Sequence, residues 1–416
     1  MFKINRKECS SLLIAFSFFQ FGIMQPIAIF LNSQIIIAIS TLIIFMSLLI
    51  IFKFNIKKYV YFILVSITLL FLLNYFLFNS REVILFIFGE FFLKSFSLFL
   101  IGSFLFTTEY LKKYFYIFSL INLISLSTIL VLGYIDPLDY MRFGYALLPT
   151  LLTSLYALRD DKNKVFWLII ASISFMIILF YGSRGPLIGF LLFILIIIFT
   201  DSKLHILKKT FAVLSIVSGY IYLIIFNGVL KILDYIYEAL NIQTYSIIKF
   251  KMMFEEGIAV SSSGRDFLFE NFIDQIKISP IWGNGIGITQ ELWEVSAHNL
   301  FLQILIEFGV IGISIFGILS FGILILLIKV RKMDNELFLL LSIIFSASFS
   351  RLLVSSDIWL RQELWLFISL LINAYLMTHF NKKSKKIEIS KKLLKDTVYD
   401  LKRVKKENNH DKTSLY

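Results

Sequence analysis

Charge and cysteine are what this sequence has least of. Asp, Glu, Lys and Arg make up 16% of the 416 residues, and Cys9 is the one cysteine. A lone cysteine excludes an internal disulfide. So low a charged fraction, beside 58% apolar residues and 46 Phe, excludes an ordinary soluble domain. The first apolar run lacks the small-residue cleavage site of a removable signal peptide, so the N-terminus is expected to stay.

The apolar residues fall into repeated runs of roughly 18 to 24, long enough to cross a hydrocarbon layer of about 30 Å as helices. The reading is an all-α polytopic membrane protein with about 12 transmembrane helices. Spans are expected near 10–31, 35–52, 59–78, 83–106, 113–133, 144–158, 165–181, 186–200, 210–227, 298–328, 336–354 and 362–380. The chain then divides into 1–227 with nine helices, a large outer loop at 228–297, three helices in 298–380, and a basic tail at 381–416.

A net charge of +12 is compatible with a nucleic-acid partner, but its distribution points to membrane topology. With a cytoplasmic N-terminus, 29 of the 40 Lys and Arg lie inside, in clusters such as Lys57–Lys58, Lys112–Lys113 and Lys329–Arg331–Lys332. That is the positive-inside bias, and it makes both termini cytoplasmic and the protein a multi-pass membrane component. No nucleic-acid partner is expected. In the tail, Ile387, Leu394, Val398 and Leu401 recur at helical spacing among lysines; a helix lying on anionic lipid and a solvated basic tail both fit.

The loop from Gly228 to Ala297 is too long for a mere connector. Leu230, Leu233, Ile236, Tyr237 and Leu240 have the spacing of one amphipathic helix, and Asp266 to Lys277 suggests a second, so a helical cap is expected over the membrane part. His298 is the one histidine on the outer side; His205, His379 and His410 fall inside. That excludes a multi-histidine metal site there. Outer loops also lack an Asp-x-Asp pair, the nearest being Asp136 and Asp139, so neither metal nor cofactor is expected.

Any anion handled outside must therefore meet arginine, whose planar fork makes two charge-assisted bonds to a phosphate and never deprotonates. Arg81, Arg142, Arg184, Arg265 and Arg361 lie outside, with Arg351 just below the surface. Arg184 sits in Gly182-Ser-Arg-Gly-Pro186, where the glycines allow a tight turn and Pro186 suits a helix start, whose free N–H groups favour anions. The plainer reading is a snorkelling interfacial arginine. Arg265 follows Ser261-Ser-Ser-Gly264 at another helix start, with Ser263 or Asp266 as the cap. Trp282-Gly-Asn-Gly-Ile-Gly287 is no dinucleotide fingerprint, because no strand precedes it. Its glycines either offer N–H groups to a ligand or let the loop pack closely, and packing is commoner.

His298 opens a long apolar stretch with Glu294 one turn upstream, placed to orient the imidazole if the helix reaches back that far. Gly309, Gly312, Gly317 and Gly322 form a small-residue face suited to helix packing. Glu307 inside this span must face a polar cavity or pair with a cation such as Arg351 or Arg184. Glu90 and Lys94, four apart, are expected to form an internal ion pair.

Four local patterns together resemble the family of O-antigen ligases and O-antigen polymerases: Gly182-Ser-Arg-Gly185, Ser263-Gly-Arg265, Ser279-Pro-Ile-Trp-Gly-Asn-Gly-Ile-Gly287, and Ala297-His-Asn-Leu-Phe followed by Glu307-Phe-Gly-Val-Ile-Gly312. They span about residues 165–328. The resemblance implies a membrane glycosyltransferase. Its donor would be a glycan on undecaprenyl diphosphate in the outer leaflet, and its acceptor a sugar hydroxyl. Arg184, Arg265 and His298 are by resemblance the catalytic residues, the arginines holding the leaving diphosphate without metal and His298 steering the acceptor proton. Ser183, Gly264, Gly285, Asn299, Glu307, Arg351 and Arg361 are expected to contact substrate around them. Membrane lipids are further partners, and a chain-length regulator would be a protein partner.

Within the family a polymerase is favoured over a ligase that moves finished glycan to lipid A-core. The rival of another class is a polysaccharide flippase, which would share the spans but bind at the midplane and have short loops.

Overall fold

The computed structural model describes residues 5–132 except 32, 34 and 54, residues 140–201 except 182–184, isolated positions between 205 and 235, and residues 265–379 except 355, 356 and 378. Every regular element among them is helical: α1 Arg6–Phe30, α2 Ile35–Ile51, α3 Lys58–Leu77, α4 Arg81–Gly102, α5 Thr108–Val131, α6 Tyr140–Asp160, α7 Lys164–Tyr181, α8 Gly185–Thr200, α9 Arg265–Ile278, α10 Ile288–Trp293, α11 Leu300–Met333, α12 Asn335–Val354 and α13 Gln362–Met377.

Six of these, α1, α3, α4, α5, α11 and α12, are long and apolar enough to cross a membrane, and α2, α7, α8 and α13 are shorter apolar helices. The expected count of twelve spans is thus not established. The span expected at 210–227, the first loop helix near 230–240 and the basic tail fall almost wholly outside the described residues. The second loop helix, expected from Asp266 to Lys277, is α9, Arg265–Ile278.

The two last long spans divide the labour. The most apolar 18-residue window of α11 has none of its residues buried, whereas that of α12 is 72% buried. A helix that is apolar yet uncovered belongs against lipid; one covered all round belongs in the core. α12 packs on α8, α6 and α11. Two of its buried serines return their hydroxyls to their own helix, Ser342 to Phe338 O at 2.8 Å and Ser350 to Ala347 O at 3.1 Å, which satisfies them without water. Gly189 of α8 lets the helices close, since a Cβ there would crowd Ser350 Oγ and Ser346 O. Around this axis α1 lies between α5 and α2, and α6 against α7.

The ends of the bundle differ in chemistry. At the Asn335 end of α12, Lys112 pairs with Asp160 at 3.0 Å and Glu336 at 3.3 Å, and Lys113 with Glu8 at 3.3 Å. Thr108 donates to Asp334 at 2.6 Å, and Arg331 to Thr200 O at 2.9 Å. Each of these residues belongs to a segment expected on the cytoplasmic side. The Val354 end, about 30 Å away at 1.5 Å per residue, holds the candidate site. Within α4, Lys94 and Glu90 form the expected ion pair, beside a π-helical segment at Phe91–Phe96.

Candidate functional site

α11 is not one straight helix. Gly309 stands at φ +63° and ψ −159°, a conformation for glycine alone, and splits it into a half-helix Leu300–Phe308 and a longer part beyond. An unbroken helix would bond Val310 N–H to Ile306 O and Ile311 N–H to Glu307 O. All four groups bond instead to the glycine-rich loop. Val310 donates to Pro280 O at 2.9 Å and Ile311 to Ile281 O at 3.3 Å, while Ile306 O accepts from Asn284 N–H at 2.8 Å and Glu307 O from Gly285 N–H at 3.0 Å. The loop thus repairs the break it causes. Irregular backbone at membrane depth is tolerated only where such partners exist.

This explains why glycine recurs in both strands of the contact. A Cβ on Gly309 would overlap the Ile281 carbonyl, and one on Gly283 the Glu307 carbonyl and Phe308 N. Gly309 is therefore the hinge of a broken helix, not part of the packing face expected from the sequence. Among the described residues no atom lies within 4 Å of a Cβ built at Gly317 or Gly322. Asn284 locks the loop further, exchanging bonds of 3.1 Å with the side chain and carbonyl of Gln275 on α9.

Glu307 lies beneath the loop, 1% exposed. Its carboxylate accepts from Gly287 N–H at 3.1 Å, Gln303 Nε2 at 3.1 Å and Trp359 Nε1 at 3.0 Å. These partners are neutral, and among the described residues no ion pair joins it to Arg351. The network continues through residues that sequence reasoning passed over. Gln303 Oε1 accepts from Ile358 N–H at 3.1 Å; Asp357 accepts from Trp359 N–H at 2.7 Å and from Gln290 Nε2 of α10 at 3.1 Å. Burial pushes the Asp357 carboxyl above the ordinary carboxylate range. Gln303, four residues before Glu307 in an apolar span, was the available signal.

The half-helix begins where Asn299 caps it, its side chain accepting from Leu302 N–H at 3.1 Å. His298, half-buried, precedes the cap at φ +53°. The helix does not extend back to Glu294, which ends α10 in a left-handed conformation; the Asn299 cap fixes the start instead. Glu294 and His298 are therefore not neighbours along one helix.

The described surroundings of the three catalytic candidates share one neighbourhood. Asn299, next to His298, donates to Leu353 O at 3.5 Å near the end of α12. Gly185, next to Arg184, opens α8 so close to Tyr145 and Val354 that a Cβ there would overlap the Tyr145 hydroxyl. α9, whose first residue is Arg265, packs through Phe272, Leu268 and Ile276 on Ala297, Leu302 and Ile306. Arg184 and Ser183, with Gly264, lie outside the described residues, and Arg265 is described as a backbone position only.

Arg351 of α12 holds its guanidinium over the Tyr145 ring, 5.1 Å from the centroid, which brings a cation to the same place. Arg361, 8% exposed, bonds Glu363 at 2.6 Å. Gly285 gives its N–H to the Glu307 carbonyl, and its missing side chain makes room for Phe78. Of the two readings of the glycine loop, close packing accounts for these contacts.

Comparison with curated proteins and with solved structures returned no match. Residues 169–317 match the family model described as O-antigen ligase, so the chain is a membrane-helical protein carrying an O-antigen ligase domain, consistent with the family of O-antigen ligases and polymerases.

Proposed function

We propose that the protein is a polysaccharide polymerase of the inner membrane, joining glycan repeat units on its outer face. A glycan carried on undecaprenyl diphosphate is the donor, and a sugar hydroxyl of the second glycan is the acceptor. The observation that carries this reading is the shared neighbourhood at the Val354 end of α12, where the flanks of Arg184, Arg265 and His298 come together in the matched domain.

In the reaction the acceptor oxygen attacks the anomeric carbon while the bond to the diphosphate oxygen breaks, and the diphosphate leaves with the electron pair. Arg184 and Arg265 stabilise that developing charge, a role in which one lost donor costs about 2.7–4 kcal/mol. His298 takes the acceptor proton, an effect worth about 10²- to 10⁴-fold. Back-side attack inverts the configuration. Ser183, Gly264, Asn299, Arg351 and Arg361 border the substrates, and both termini are cytoplasmic.

The surface glycan of a deletion strain, run on a gel, tests the polymerase reading. Loss of a polymerase leaves surface acceptors capped with single repeats. Full-length chains stranded on the carrier lipid would make the protein a ligase. Purified protein separates both from a flippase, which leaves lipid-linked oligosaccharide chemically unchanged.

A further inference from the structure

A carboxylate sunk among apolar helices ordinarily faces a cation or performs chemistry of its own. Glu307 has another occupation. Its three donors come from three parts of the chain: Gly287 from the glycine-rich loop, Gln303 from the half-helix itself, and Trp359 from the segment joining α12 to α13. Other half-helix side chains also meet these segments, Phe308 with its ring 6.2 Å from that of Trp359 and Gln303 reaching Ile358 N–H at 3.1 Å, but Glu307 accepts hydrogen bonds from the loop and the Trp359 segment together.

The half-helix needs such ties. The break at Gly309 uncouples Leu300–Phe308 from the rest of α11, so its direction is not inherited from the membrane-crossing part. It is held sideways: at its head by Asn299 on Leu353 O, at its foot by the loop N–H groups of Asn284 and Gly285, and on its flank by Gln303 and Glu307. At 1.5 Å per residue Glu307 stands about 13 Å along the axis from His298, too far for both to touch one reacting bond.

We propose that Glu307 is a positioning residue of the transfer site: by tying the glycine-rich loop and the Trp359 segment to the half-helix, it fixes where His298 and Asn299 stand. The proposal rests on the transferase reading and changes the part given to Glu307 from substrate contact to support. Displacing a catalytic group by about 1 Å costs on the order of 100-fold in rate, so the tie has leverage on the chemistry.

The test is Glu307→Gln in the full-length protein, purified in lipid and assayed with lipid-linked oligosaccharide. Glutamine has the same shape but must turn its NH2 toward one of the three donors. The expected result is a kcat lower by about 10- to 100-fold, with the donor KM within about twofold and the pH limb of kcat unmoved. Adding Trp359→Phe removes the facing indole donor and recovers several-fold of the loss. Hydrogen exchange rises at residues 285–287 and 300–303. Wild-type kcat in a folded Glu307→Gln protein overturns the proposal, and so does a shifted pH limb, which would make Glu307 an acid or base itself. If that variant does not accumulate, Trp359→Phe alone must lower kcat in the same direction, and an unchanged kcat overturns the proposal. A wild type without transfer activity defeats the transferase reading instead; unchanged exchange at 285–287 and 300–303 in Glu307→Gln then defeats the positioning claim separately.

Discussion

Replacing Gly309 by alanine should damage the protein far more than the same change at Gly317, about 12 Å along the same helix. If the break is kept, alanine must adopt φ +63° and ψ −159°, which costs about 1–3 kcal/mol. Its methyl also overlaps the Ile281 and Pro280 carbonyls, and forcing them apart adds about 1–3 kcal/mol. If the helix straightens instead, Val310 and Ile311 regain their helical acceptors, but Pro280 O, Ile281 O, Asn284 N–H and Gly285 N–H lose their partners. Each orphaned group that stays buried costs about 1–3 kcal/mol. The first route comes to about 2–6 kcal/mol, and the second to at least as much once two of the four groups stay buried. At Gly317 the backbone is helical and a Cβ meets no described atom within 4 Å, so alanine should stabilise by about 0.5–1 kcal/mol. Unfolding by increasing SDS fraction in mixed micelles, followed by tryptophan fluorescence, measures both. A Gly309→Ala protein as resistant as Gly317→Ala would refute the broken-helix account.

Asn299→Ala removes the cap of the half-helix and should lower stability by about 1 kcal/mol, whereas Asn299→Asp keeps the acceptor for Leu302 N–H and loses less; thermal midpoints of the two variants check this. Lys57 donates to Asn373, whose amide in turn bonds Gly102 O at 2.9 Å and Phe104 O at 2.6 Å. Burial lowers the Lys57 amine to about 8, so the folded state holds its proton less tightly than the unfolded chain. The resulting destabilisation is present in full below pH 8 and disappears as pH rises toward the unfolded value near 10.4. The unfolding midpoint should therefore rise between about pH 8 and 10 in the wild type relative to Lys57→Met, and parallel curves would contradict the assignment.

Much of the helical layout was legible because hydropathy reports burial in lipid and protein alike. Glu90 and Lys94 were readable from spacing, and α9 from its amphipathic period. The break at Gly309 was not, since a glycine in an apolar span looks the same whether it packs helices or ends one. Its meaning lies in a partner about 25 residues earlier, and only the paired backbone bonds connect them. Glu294 misled for a related reason: one-turn spacing matters only on a continuous helix, and the Asn299 cap starts a new one. Asp357 and Trp359 were hidden because a short connection between spans carries no period. Of the apolar runs read as spans, six helices among the described residues are long and apolar enough to cross alone.

The most direct measurement is glycan transfer by purified wild type, His298→Ala and Arg265→Ala protein, reconstituted in lipid with undecaprenyl-diphosphate-linked oligosaccharide and no added metal. The account predicts that the wild type lengthens the glycan and releases undecaprenyl diphosphate, while both variants insert and fold but transfer almost nothing. Wild-type rates in either variant would remove that residue from the mechanism, and an unaltered substrate with the wild type would contradict the transferase itself.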